Sequence, residues 1–162
     1  QLSSKPSLHH CSNHKSCLEE VTQMATEICH DRELRFTDLR KNVFKLIWES
    51  HKPAKAYDLL EKIKENDPNA KPPTIYRTLD FLLDNGLIHR LNSQNAFVGC
   101  SHPLLHQDCY FLICDQCKVI RECCDKQLNV AIAKTTQLKN FKPKNITLEI
   151  EGLCENCSEA VS

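Results

Sequence analysis

The sequence predicts an α+β protein: a helical N-terminal half closed by a β-hairpin, and a small α/β C-terminal half clipped by a metal ion. Three observations carry this. Apolar residues recur at helical spacing as far as Leu83. Two short extended runs then flank Ser93-Gln94-Asn95. Two C-x-x-C pairs, Cys114-Asp115-Gln116-Cys117 and Cys154-Glu155-Asn156-Cys157, bracket most of the remainder.

The chain of 162 residues suits one domain or two small ones. With 41% hydrophobic and 26% charged residues it reads as an ordinary globular protein. Only 3 glycines are present, which excludes Gly-rich phosphate loops. No apolar run is long enough for a bilayer, and no charged-then-apolar start reads as a signal peptide. The expected compartment is the reducing cytoplasm, with no membrane partner. Eleven cysteines in such a setting point to metal ligation more than to disulfides. The formal net charge is +0, so any DNA binding must come from a local basic face and weaken with salt.

Taken in order, residues 1–17 form a polar tail carrying His9, His10, Cys11, His14 and Cys17. Leu18, Val21, Met24, Ala25 and Ile28 predict a first helix. Thr37 is placed to N-cap a second, whose stripe is Leu39, Val43, Phe44, Ile47 and Trp48, with Arg40, Lys41 and Lys45 off the stripe. Lys52-Pro53 breaks the chain before a third helix with Ala56, Leu59, Leu60 and Ile63 inward. Pro72-Pro73 sets the entry to a fourth, and Asn85-Gly86 ends it. In that helix Ile75, Leu79, Leu82 and Leu83 face the core, leaving Thr74, Tyr76, Arg77 and Asp80 outward.

Runs 87–92 and 96–100 then form a hairpin. Helix–turn–helix followed by a hairpin is the winged-helix pattern, with the fourth helix as reader of the major groove. Arg77 has the chemistry for guanine, and Tyr76 for a thymine methyl or a phosphate. Arg40 and Lys41 are placed to fix the phosphate backbone. The competing reading is a polar helix face that meets only water.

The domains expected are a tail at 1–17, a winged helix at 18–100, a hinge at 101–107 and a dimerisation and metal-binding domain at 108–162. The last would hold strands over 110–114, 119–123 and 145–151. A helix over 127–138 turns Leu128, Ala131, Ile132 and Leu138 to one side. This β-α-β unit is too small to be comfortable alone, which argues for a zinc clip and a second subunit.

Two residues between thiolates let both sulfurs turn onto one ion, and two such turns make a closed tetrahedral S4 site, the usual geometry of structural zinc. Unrelated buried thiols or a redox C-x-x-C are the alternatives. Near the hinge lie His89, Cys100, His102, His106, Cys109 and Glu122. A site of His89, Cys100, His106 and Glu122 would draw ligands from both domains, and its mixed N, S and O donors suit zinc. Cys109, Cys123 and Cys124 are otherwise expected to be packing residues.

The runs Ala56-Tyr57-Asp58-Leu59-Leu60, Ala70-Lys71-Pro72-Pro73-Thr74-Ile75-Tyr76-Arg77-Thr78-Leu79-Asp80-Phe81-Leu82, Phe111-Leu112-Ile113-Cys114-Asp115-Gln116-Cys117 and Gly152-Leu153-Cys154-Glu155-Asn156-Cys157 resemble the ferric uptake regulator (Fur) family of bacterial metal-dependent repressors. The resemblance spans roughly residues 18–159, and within the family it is to the zinc-responsive members. It implies a homodimer that, when zinc-loaded, binds palindromic double-stranded DNA operators and represses zinc-uptake genes. It also implies two zinc sites per subunit. One is structural, on Cys114, Cys117, Cys154 and Cys157; the other is regulatory, on His89, Cys100, His106 and Glu122. Tyr76 and Arg77 would meet the operator.

The interval from His106 to Cys114 is one residue longer than in the most similar pattern, which keeps His102 as a substitute ligand. Asp108-Cys109-Tyr110-Phe111 stands where iron-type members carry a His-rich run, and Cys100 argues against an iron or peroxide sensor. From other classes, a zinc-storage or scaffold protein without a DNA role remains an alternative. Enzyme chemistry is not expected: both C-x-x-C pairs read as closed by metal, and the zinc-deaminase signature is missing.

Overall fold

The computed structural model describes residues 14–49 and 52–160 of the chain. His9, His10 and Cys11 of the predicted tail lie outside the described residues. The described chain divides after Pro103 into two compact units.

The first unit runs α1 (His14–Asp31), α2 (Asp38–Glu49), α3 (Ala56–Asn66), α4 (Pro72–Asp84), β1 (Ile88–Leu91) and β2 (Ala96–Gly99). Helix α1 takes in the end of the predicted tail, Cys17 included. Helix α2 is the hub, packing against α1, α3, α4 and β2. Its start is capped as predicted: the Thr37 Oγ1 accepts from the Arg40 N–H at 3.4 Å, satisfying one of the donors that a helix start leaves open. The predicted stripe supplies its buried residues Val43, Phe44, Ile47 and Trp48.

Helix α4 has its boundaries written into the sequence. Pro72 and Pro73 occupy its first positions, where a missing N–H costs nothing. At the other end Gly86 has φ 71°. The Gly86 N–H donates to the Leu83 carbonyl at 3.0 Å and the Leu87 N–H to the Leu82 carbonyl at 3.0 Å. That pairing closes a helix with a left-handed residue, which only glycine adopts without strain.

The hairpin pairs His89 with Val98 and Leu91 with Ala96. A third short piece joins it: Ala54 and Phe97 exchange both backbone hydrogen bonds at 2.8 Å. The Lys52-Pro53 break therefore delivers the chain to the edge of the hairpin instead of leaving it as a plain loop. Gly99 lies against Trp48 so closely that a Cβ would fall inside the indole.

The second unit holds β3 (Cys109–Cys114), β4 (Ile120–Cys124), α5 (Lys126–Gln137), β5 (Glu149–Gly152) and α6 (Glu155–Glu159). The predicted connector 101–107 is itself structured, as two short 3-10 turns over Pro103–Asp108 kinked at Leu105. The sheet order is β4-β3-β5. Strand β3 pairs antiparallel with β4 and parallel with β5, so the expected β-α-β unit is a mixed ββαβ arrangement whose crossover passes β3. Strand β5 begins at Glu149, four residues later than its alternation predicts from 145.

Helix α5 departs most from expectation. Asp125 caps it, accepting from the Gln127 N–H at 2.8 Å. Yet none of its residues is buried: Leu128 and Ile132 are half-covered, and Ala131 and the following Leu138 are exposed. Leu128 and Ile132 share a narrow groove with Ile146 and Leu148, and the rest of the stripe lies outside it. Among the described residues no helix is long and apolar enough to cross a membrane.

Gly99→Ala is expected to overpack the Trp48 site and destabilise the first unit by about 1–3 kcal/mol. Chemical denaturation followed by far-ultraviolet circular dichroism checks this; an unchanged midpoint would contradict the packing.

Candidate metal centres and nucleic-acid interface

The sulfurs of Cys114, Cys117, Cys154 and Cys157 all lie within 4.8 Å of one another. Local backbone chemistry brings each pair into place. Lys118, at φ 61°, turns the chain so that its N–H returns to the Cys114 carbonyl at 3.0 Å, which folds the first C-x-x-C into a knuckle between β3 and β4. The second C-x-x-C is the opening turn of α6, where the Cys154 carbonyl accepts from the Cys157 N–H at 3.1 Å and the Ser158 N–H at 2.8 Å. The Asp115 N–H donates to the Gly152 carbonyl at 2.8 Å and joins the two pieces.

The cluster fits a tetrahedral ion. With Zn–S bonds of about 2.3 Å, sulfurs in a tetrahedron stand about 3.8 Å apart. The Cys117 and Cys154 sulfurs are 3.7 Å apart. Charge is also prearranged. The backbone N–H of Cys117, and then that of Cys154, lower the Cys114 thiol to about 6. The Cys154 thiol and burial push Cys157 up to about 12. One sulfur thus favours the thiolate at neutral pH, and another keeps its proton until a bound cation displaces it to solvent.

The other predicted donors are distributed over the two units. In the first, His89 on β1 and Cys100 just after β2 are both buried and offer ligand atoms within 4.8 Å of each other. In the second, Glu122 on β4 is buried, and its carboxylate lies within 4.8 Å of the Cys109 sulfur and of the Cys124 sulfur. His106 joins no cluster of three or more donors among the described residues. The side chains of Cys109 and Cys124, expected as packing residues, lie beside this candidate ligand. Burial, the Cys109 thiol and the Glu122 charge all push the Cys124 thiol upward.

On the first unit, α4 buries Ile75, Thr78, Leu79 and Leu82 and exposes Thr74, Tyr76, Arg77 and Asp80. Tyr76 is 56% exposed, unusual for so large an aromatic on a helix anchored at both ends. Arg40 is more constrained than its sequence position suggests. Its guanidinium stacks on the Phe81 ring, 3.7 Å from the centroid, and donates to the Arg35 carbonyl. Lys41 stands 5.8 Å from the Phe36 ring centroid. Two residues not singled out from sequence complete this surface. Tyr57, 70% exposed at the start of α3, lines the same cleft as Tyr76. Arg90 on β1 lines it too, its guanidinium donating to the Asn95 side chain at 2.9 Å. The available signal for Tyr57 was its place off the Leu59–Leu60–Ile63 stripe.

The Ferric uptake regulator family model matches residues 31–151. The chain belongs to the ferric uptake regulator family. It is 35% identical, over 90% of its length and 85% of the relative's, to the zinc uptake regulation protein of Escherichia coli (strain K12). It is 29% identical to the ferric uptake regulation protein of Staphylococcus aureus (strain N315), over 85% of this chain and 98% of that one. Among solved structures it is similar to a zinc uptake regulator complexed with zinc and DNA, at TM-score 0.79 and 33% identity, covering 89% of this chain and 97% of the other. Holo XcZur is similar at TM-score 0.79 and 40% identity, covering 86% and 98%.

Loading the four-cysteine cluster is expected to expel at least the Cys157 proton at neutral pH. Affinity therefore falls as pH falls, more steeply below about 6, where the Cys114 proton must leave as well. Proton release on adding zinc to metal-free, reduced protein in weak buffer checks the sign; no release at pH 7 would contradict it.

Proposed function

We propose that this chain is a zinc-responsive transcriptional repressor, which acts as a cytoplasmic homodimer on palindromic operators of zinc-uptake genes. The observation that carries the reading is α4: a helix locked at both ends by Pro72-Pro73 and Gly86, its outer face given to Thr74, Tyr76 and Arg77. Likeness to a zinc uptake regulator complexed with zinc and DNA supports the same assignment. In this reading residues 18–100 are the DNA-binding domain, 101–107 the hinge and 108–162 the dimerisation domain.

Arg77 would read guanine by a bidentate contact, with Tyr76 and Thr74 beside it. Lys41 would hold phosphate. Arg40 would do so through the part of its fork that Phe81 and Arg35 leave open. Exposed Tyr57 and Arg90 would extend the surface beyond α4.

Two zinc ions per subunit follow. The structural ion would be held by Cys114, Cys117, Cys154 and Cys157. The regulatory ion would be held by His89, Cys100, His106 and Glu122, with His102 as the alternative histidine. Zinc on donors from both domains would select one of their arrangements, the one whose dimer spacing meets successive major grooves. His89 and Cys100 support this by being buried side by side on the hairpin, with ligand atoms already turned together.

The homodimer is supported by what the second unit leaves uncovered: Val130 on α5 and Ile150 on β5 are exposed. Apolar area of this kind on so small a unit calls for a partner face. Neither C-x-x-C pair leaves the open coordination position that metal hydrolysis needs, so catalysis has no part in the reading.

DNA binding by reduced protein as free zinc is raised tests the function. Specific binding should appear with zinc and not with iron(II) or manganese. Arg77→Ala should weaken it by about 1–3 kcal/mol, roughly 5- to 150-fold. Cys100→Ser should abolish the zinc dependence and leave the circular dichroism unchanged; normal zinc-dependent binding by that variant would sink the regulatory assignment. Ile150→Asp should shift sedimentation from dimer toward monomer, and an unaffected dimer would place the interface elsewhere.

A further inference from the structure

The second unit carries a thiol pair that the proposed function does not use. Cys109 and Cys124 are directly opposite each other across β3 and β4. The Asp125 N–H donates to the Asp108 carbonyl at 2.9 Å, and the Cys114 N–H to the Val119 carbonyl at 3.0 Å. These two bonds fix the alternation along the ladder. The 108–125 and 114–119 pairs are hydrogen-bonded pairs, so 109–124 is a non-hydrogen-bonded pair. Pairs of that kind bring opposed Cα atoms to about 4.5 Å and their side chains closest together. Disulfides span Cα separations of about 4.4–6.8 Å.

Alternation also decides what the pair faces. Glu122 is two residues from Cys124 and so on the same side of the sheet, while Cys123 pairs with Tyr110 on the other. The Cys124 Sγ donates to a Glu122 carboxylate oxygen at 3.8 Å. The Cys109 Sγ donates to the Leu105 carbonyl at 3.2 Å.

We propose that Cys109 and Cys124 form an oxidative modification site, at which a peroxide joins the two sulfurs across the strands and removes the thiol that holds Glu122. The step balances. One sulfur attacks the peroxide, the O–O bond breaks, and a sulfenic acid and one water form. The second sulfur displaces the sulfenic oxygen as a second water, and the S–S bond closes. Two thiols are oxidised by two electrons and one hydrogen peroxide is reduced. The disulfide ends both the Cys124–Glu122 and the Cys109–Leu105 hydrogen bonds, so the Glu122 carboxylate loses the Cys124 donor among its contacts. Resting on the reading of Glu122 as a regulatory ligand, this makes the zinc response sensitive to thiol oxidation.

The test treats zinc-loaded, full-length protein with stoichiometric hydrogen peroxide, blocks the remaining thiols and maps tryptic peptides. Lys118 and Arg121 separate the two cysteines, so the bond appears as a cross-linked peptide pair. That pair is expected in the wild type and absent from Cys109→Ser and Cys124→Ser. Chelator competition should show regulatory zinc affinity falling about 10- to 100-fold on oxidation and returning with dithiothreitol. Cys124→Ser keeps a hydroxyl donor toward Glu122, so it should hold zinc normally and ignore peroxide. Oxidation confined to the four-cysteine cluster, or a mapped 109–124 bond with unchanged zinc affinity, would overturn the proposal. Glu122→Gln in reduced protein separates the two readings: unchanged zinc affinity there would remove Glu122 as a ligand while the mapped bond stood.

Discussion

Four sulfurs drawn within 4.8 Å of one another are the constraint on which the second unit depends. Its own apolar interior is slight, with Phe111, Ile113 and Ile120 as its buried large hydrophobics. Burying a few such side chains contributes about 1.5–3 kcal/mol each, little against the entropy of ordering more than fifty residues. A closed metal centre on these sulfurs would supply what the core lacks, because its ligands come together only in the folded chain. The sulfur cluster brings the β3–β4 turn to α6, and the Asp115–Gly152 hydrogen bond beside it secures the end of β5. On the strands secured in this way, Leu112 and Ile150 stay exposed.

The first unit solves the opposite problem. Its interior is complete without metal, since α2 buries one face against four neighbouring elements. Helix α4 can therefore give up an entire side to solvent. Thr78 shows how sharply that boundary is drawn: buried among the apolar positions, it satisfies its hydroxyl by donating to the Thr74 carbonyl at 3.0 Å. Arg40 sits on the same boundary. Stacked on Phe81 between α2 and α4, it contributes packing as well as charge.

Much of this is legible in the sequence, for local reasons. The Thr37 cap, the Pro72-Pro73 entry, the Gly86 exit and the apolar stripe of α2 are properties of short segments, and short segments declare them. The C-x-x-C pairs were legible because metal geometry restricts spacing. What escaped notice depends on distant pairing. Ala54 joins the hairpin edge only because Phe97 is there to meet it. That Cys109 and Cys124 stand opposite each other is fixed by the register of the Cys114–Val119 turn, which residue type does not reveal. Helix α5 was expected to bury Leu128, Ala131, Ile132 and Leu138 because its stripe is genuine. The surface that would cover that stripe is simply not part of the three-stranded sheet.

Trp48 is the chain's one tryptophan, and its indole rests on Gly99, the residue before Cys100. The Cys100 N–H is bound to the Leu87 carbonyl at 3.0 Å, so the backbone there is held firmly beside the ring. The ring's buried N–H has no hydrogen-bond partner, which leaves its emission governed by the packing and polarity around it. The protein thus carries a built-in fluorophore packed on the residue that precedes a thiol proposed to bind zinc. Changes at that thiol could be followed optically, in unlabelled protein, with no competing indole signal.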